Sequence, residues 1–243
     1  VVSTAAVNNA LYFAAISGAT SISIAGGSFK GAARGMYFPA VDGSTTVSIT
    51  GAKVEATGAT AEALHFSSTV AGAVTIKGST ITQTAAFSGL WFQGIVSAAV
   101  VIEDSAVNSG STALLFVDLR APLTLTNVDL TAATASAKAF EIMAMAGAAI
   151  VVSGGTWASA ARAMHLCPID ALSTLRISGL AASSTASNPL RFDDAVAGAV
   201  SISGGSFVST AGSSSAIYLK TPLISFCSAE ESKTKQRFGE DSN

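Results

Sequence analysis

Ile22-Ser23-Ile24-Ala25-Gly26-Gly27-Ser28-Phe29 returns as Ile150-Val151-Val152-Ser153-Gly154-Gly155-Thr156-Trp157 and as Val200-Ser201-Ile202-Ser203-Gly204-Gly205-Ser206-Phe207. Looser copies begin at Val47, Val74, Val100, Leu123 and Leu175, so the period is about 25 residues along the whole chain. A repeat of this length cannot bury its apolar face alone. It must stack on its neighbours, which predicts a solenoid and not a globule around one core.

Aligned copies show three apolar elements. The first is an alternating pair, Val47 and Ile49 or Val74 and Ile76, whose period of two marks a strand with one face inward. The next column holds Gly26, Gly51, Gly78, Asp104, Asn127, Gly154, Gly179 and Gly204. These residue types tolerate left-handed backbone, so this column is a turn. Three residues on stands a single apolar residue: Phe29, Val54, Ile81, Val107, Leu130, Trp157, Ala182 or Phe207.

The third element reads Leu11-Tyr12-Phe13, Met36-Tyr37-Phe38, Leu64-His65-Phe66, Leu90-Trp91-Phe92, Leu114-Leu115-Phe116, and so on to Ile217-Tyr218-Leu219. Its outer members should point inward, stacking Phe13, Phe38, Phe66, Phe92 and Phe116 as an internal ladder. Its middle member should face solvent. Three short strands per coil, each paired with its equivalent in the next, make an all-β, right-handed parallel β-helix of about eight coils. Leucine-rich repeats share the period, but Leu123-Thr124-Leu125-Thr126-Asn127 has one residue too few before its Asn. Left-handed hexapeptide helices need about 18 residues per coil, which the spacing never approaches.

The array is expected over residues 1–226, as part of a longer array, since the chain opens on Val1 and its first recognisable element belongs late in a coil. Seven of the last 17 residues are charged, against 21 in the 226 before them. Residues 227–243 therefore read as a charged, disordered tail. An end without a cap leaves strand edges for end-to-end association.

Across 243 residues, 12% are charged and the net charge is −2, which offers nothing for nucleic acid to bind. Ala85 to Ile102 and Ala139 to Trp157 are apolar enough to resemble membrane spans, but both keep the repeat's register and are expected as buried coils. Cys167 and Cys227 lie more than two coils apart, beyond disulfide reach, and read as free thiols, Cys167 half-buried.

The repeat resembles the pectate-lyase-like superfamily of right-handed β-helices from Ala10 to about Phe226, in period and column chemistry. That resemblance implies either a polysaccharide lyase, with a calcium site and a basic residue, or a glycoside hydrolase with paired acids. Asp193-Asp194 look like such a pair, but no Gly-His-Gly follows them. Arg176-Ile177-Ser178 matches the Arg-Ile-Lys of polygalacturonases only in part, and precedes the acids. The plainer reading is a solvated loop after a strand. Asp118 sits in a related loop three coils earlier, too far to join Asp193 across a glycosidic bond. Poor in charge and rich in Ala, Ser, Gly and Thr, the coils also look like dispersed-gene-family surface proteins of kinetoplastid parasites and like bacterial β-helix adhesins.

His65 and His165 share a column about 19 Å apart and cannot share a metal, so no metal or other cofactor is expected. Glu141, one coil before His165, is placed to pair with it. The middle column as a whole (Tyr12, Tyr37, His65, Trp91, Leu115, Glu141, His165, Arg191, Tyr218) supports two readings. Tyr12, Tyr37, His65, Trp91, His165 and Tyr218 form a ligand-binding face for glycans or surface proteins, since aromatic faces bury area at little entropic cost. Alternatively, sheets favour aromatics and a loop covers them. The expectation is a non-catalytic structural or adhesive segment of a large repetitive extracellular or cell-surface protein; the alternative is a lyase or hydrolase.

Overall fold

The computed structural model describes residues 8–14, 16, 18, 20–59, 61–166, 168–212 and 214–219, and the backbone of 226–228. Cys167 and most of the charged tail lie outside them, and with them the thiol and disorder expectations. Among the described residues every regular element is a strand. One coil runs through Ser21–Ala25, Ser28–Gly31 and Met36–Phe38, and each strand pairs in parallel with its equivalent 23 to 28 residues on. The result is a parallel β-solenoid of about eight turns walled by sheets of nine, nine and eight strands.

Register follows the columns legible in the repeat. Ile22, Val47, Val74, Val100, Leu123, Ile150, Leu175 and Val200 are successive partners in one sheet. Phe29, Val54, Ile81, Val107, Leu130, Trp157, Ala182 and Phe207 are successive partners in another. Inside, Phe13, Phe38, Phe66, Phe92 and Phe116 stack with centroids 4.8, 4.8, 4.6 and 4.5 Å apart. That is one strand spacing per ring, so the backbone ladder itself sets the stacking distance. The ladder then changes form: Ile142 takes the next place, and Phe140 meets Phe116 edge-on at 6.3 Å.

The turn column is left-handed throughout, from Gly78 at φ 55° to Gly154 at φ 70°. Asp104 and Asn127 adopt it at φ 48° and 50°, and Asn127 Nδ2 donates to Asp104 Oδ1 at 3.2 Å. Two adjacent coils thus replace glycine's freedom with a side-chain bond. The second glycine of the Gly-Gly copies has a further reason. Gly155 sits at φ 87°, and a Cβ there would lie 2.2 Å from the Val128 carbonyl oxygen. Gly155→Ala should therefore destabilise the protein by about 1–3 kcal/mol, read as a lowered urea midpoint. Gly212→Ala, where a Cβ meets nothing within 4 Å, is the control.

A fourth inward column accompanies the three strands. Val41, Val70 and Val96 are bridged in succession, as are Leu119, Met145, Ile169 and Val196, and all seven are buried. Val96 and Leu119 end lengthened third strands, Leu90–Val96 and Leu114–Leu119, while the other five stand alone three or four residues past theirs, too isolated to show as a strand in the repeat. At the C-terminal end Phe226–Ser228 pairs with Val200–Ile202, so a ninth coil begins, with Phe226 opposite Val200.

Coil length varies in one place above all. From Ile22 to Phe29, Val100 to Val107 and Val200 to Phe207 the count is always seven residues. From the second strand to the third it runs from seven (Phe29 to Met36) to ten (Val54 to Leu64). The first connection is a tight turn that admits no insertion; the second is a loop lying beside the third strand's outer face.

Candidate functional site

The nine third strands place Tyr12, Tyr37, His65, Trp91, Leu115, Glu141, His165, Arg191 and Tyr218 opposite one another in unbroken register. The six residues expected to bind ligand therefore do share one face. They are not uniformly exposed. Tyr12 is 57% exposed, while Tyr37, Trp91, Arg191 and Tyr218 are half-buried. His65 at 3%, Glu141 at 9% and His165 at 7% are buried, which corrects the expectation of a solvent-facing middle column. Neighbours at strand spacing cover one another, and side chains from the loop before the strand close over them.

The column divides into two chemically distinct halves. In the first, Tyr12 and Tyr37 stack at 5.0 Å, Tyr37 meets His65 edge-on at 5.6 Å, and His65 stacks on Trp91 at 4.8 Å within 4° of parallel. The Arg34 guanidinium lies over Tyr37 at 5.4 Å. Glu62 Oε2 accepts from Arg34 Nε at 3.1 Å and lies 3.3 Å from His65 Nδ1, while His65 Nε2 meets Gln93 Oε1 at 3.0 Å. Burial pushes the His65 pKa down and the Arg34 charge adds to this, against the pull of Glu62. The ring is thus biased toward neutrality, which suits face-to-face contact with an indole.

In the second half, His165 is held at both ring nitrogens: Nδ1 to Glu141 Oε1 at 3.0 Å and Nε2 to Asp193 Oδ2 at 2.6 Å. Lys138 Nζ donates to the same Glu141 oxygen at 2.5 Å, Arg191 Nε donates to Asp193, and Arg162 Nη1 lies 3.9 Å from Asp193. Asp193 is therefore no free loop carboxylate. It reaches back one coil to close an ion network, and Arg191 also lies over the Tyr218 ring at 4.7 Å. Burial pushes the Glu141 carboxyl up, but hydrogen bonds from His165 and Lys138 outweigh it and leave the group below its usual range. Burial likewise raises Asp193, and Arg191 and His165 more than reverse it.

Beside Trp91 is a depression of about 230 Å³ lined by Trp91, Leu115, Phe87, Glu62, Ser88 and Ser111. Glu62, Phe87, Ser88 and Ser111 all come from the variable loop before the third strand, and none stood out in the repeat. Their only signal was position in the stretch whose length differs between coils. Among the described residues no three His, Cys, Asp or Glu side chains stand close enough together to hold a metal ion. No helix among them is long and apolar enough to cross a membrane.

No family model, curated protein or solved structure matches this chain.

Proposed function

We propose that this chain is a non-catalytic structural or adhesive segment of a larger repetitive extracellular or cell-surface protein, and that it contacts glycans through the aromatic half of its third sheet. The observation that carries this reading is the run Tyr12–Tyr37–His65–Trp91, four rings in strand register that end beside a depression. Exposed Tyr12 and half-buried Tyr37 and Trp91 give a polymer lying along the column aromatic surface at low entropic cost, while buried His65 packs between them.

The ion network supports a non-catalytic role. A glycosidic general acid needs its carboxyl pKa raised toward neutrality so that it holds a proton. Glu141 and Asp193 are shifted the other way, each paired with a cation, Lys138 at Glu141 Oε1 and Arg191 at Asp193 Oδ1. They act as hydrogen-bond acceptors tying adjacent coils together.

The test is binding and reducing-end release across a panel of polysaccharides. Binding without release is expected, and Trp91→Ala should weaken it by about tenfold while leaving the melting transition nearly unchanged. Release of new reducing ends by the parent, lost on Asp193→Asn, would replace this reading with a hydrolase.

A further inference from the structure

The aromatic run stops where an aromatic would next be needed. His65 covers the face of Trp91 that looks toward the preceding coil, 4.8 Å away and within 4° of parallel. The opposite face looks toward the following coil, where the register partner is Leu115. A leucine reaches less far from the sheet than an indole, so the outer part of that face is left uncovered over Leu115. The depression beside Trp91 and Leu115 occupies this place, and Phe87 walls it from the loop.

From this we infer that the depression is a subsite for a single pyranose ring, laid on the free face of Trp91 as the next ring of the stack. The inference rests on the glycan-contact reading above and assigns it a location. A sugar fits better than a purely apolar ring because the rim is polar: Ser88, Ser111 and Glu62 line the same depression. Glu62 Oε2 accepts from Arg34 Nε at 3.1 Å, and its carboxylate, which lines the depression, is the charged acceptor within reach of a ligand hydroxyl. The arrangement pairs an apolar C–H face with an aromatic and ring hydroxyls with fixed acceptors. A volume of about 230 Å³ lies below the range of drug-sized pockets, which suits one ring of a chain whose remaining units run along the column.

Trp91 is also the reporter. Trp157, the second tryptophan, is fully buried with its Nε1 donating to the Val128 carbonyl at 2.9 Å, so ligand-induced emission changes belong to Trp91. The parent would be titrated with cellohexaose, xylohexaose, mannohexaose, chitohexaose and maltohexaose, and with indole, by fluorescence and calorimetry. Leu115→Trp, Trp91→Ala and Tyr12→Ala would be titrated alongside. Leu115→Trp places an indole where the sugar ring is assigned, on an outward, half-buried position that the core does not use.

The expected result is saturable binding of at least one hexasaccharide with a shift of Trp91 emission. Affinity should fall at least about tenfold in Leu115→Trp and Trp91→Ala, and by a smaller factor in Tyr12→Ala. Binding that survives Leu115→Trp unchanged but is lost in Tyr12→Ala would overturn the subsite and leave the glycan-contact reading standing. Saturable indole binding with no hexasaccharide binding would overturn the sugar assignment. No binding of any probe to the parent would overturn both.

Discussion

Phe92→Asp should abolish the cooperative unfolding transition, giving a protein that is frayed or unfolded at 25 °C by circular dichroism. Phe92 is fully buried, with Phe66 stacked on one face at 4.6 Å and Phe116 on the other at 4.5 Å. Truncation of such a ring alone costs about 3–5 kcal/mol. The carboxylate would enter a site whose neighbours are hydrocarbon, with no cation to compensate it. In a solenoid each coil depends on its two neighbours, so losing the middle coil uncouples the array on either side. Phe92→Leu separates ring from burial: it should fold, with a loss nearer 1–2 kcal/mol in a urea melt. A soluble Phe92→Asp protein with an unchanged melt would show that the ladder does not hold the array together.

The second large effect belongs to the ion network. Glu141→Ala should destabilise the fold by about 3–5 kcal/mol, because it leaves Lys138 and one nitrogen of a buried His165 without their acceptor. Asp118→Ala, which breaks an ion pair with the well-exposed Arg120, should leave the urea midpoint nearly unchanged. The same network fixes an acid limit. Glu141 and Asp193 are held below their ordinary values of 4.5 and 3.8, so the folded state binds fewer protons than the unfolded one in that range. Their contribution is complete above about pH 4.5 and is lost as pH falls through the lowered folded values. Urea midpoints measured from pH 6 down to pH 3 should drop steeply in the parent below about 4.5, on top of a shallower loss below 6.5 from His65, which burial keeps neutral, and the steep drop should shrink in Glu141→Ala. An equally steep acid limb in that variant would place the acid-sensitive groups elsewhere.

What could be seen in the sequence was whatever a backbone constraint repeats locally. The left-handed turn at Gly26, Gly51 and Gly78 admits few residue types, so the same types recur there, including Asp104 and Asn127. Strand alternation forces Phe66 and Phe92 to one side and His65 and Trp91 to the other, and the register follows. Side-chain reach across coils has no such signature. That Asp193 would turn back to His165 depends on the direction of one carboxylate after a strand end. That His65 would be buried depends on Glu62 and Gln93 closing over it from flanking segments. The inward column of Val41, Val70 and Val96 escaped because its offset from the preceding Phe shifts between three and four residues.

The unequal connections of each coil have a consequence for how such a chain can change. The turn of constant length sets pitch and cannot be edited without breaking the stack. The stretch between the second and third strands already differs by up to three residues from coil to coil, and it supplies the depression's wall and rim. The strand that carries Trp91 and the loops that wall its proposed subsite are therefore separate segments, and of the two it is the loops that differ in length from coil to coil. Residues 57–59 with 61–63, 84–89 and 110–113 precede successive third strands, and rewriting one should change the surface beside one coil while its neighbours keep theirs.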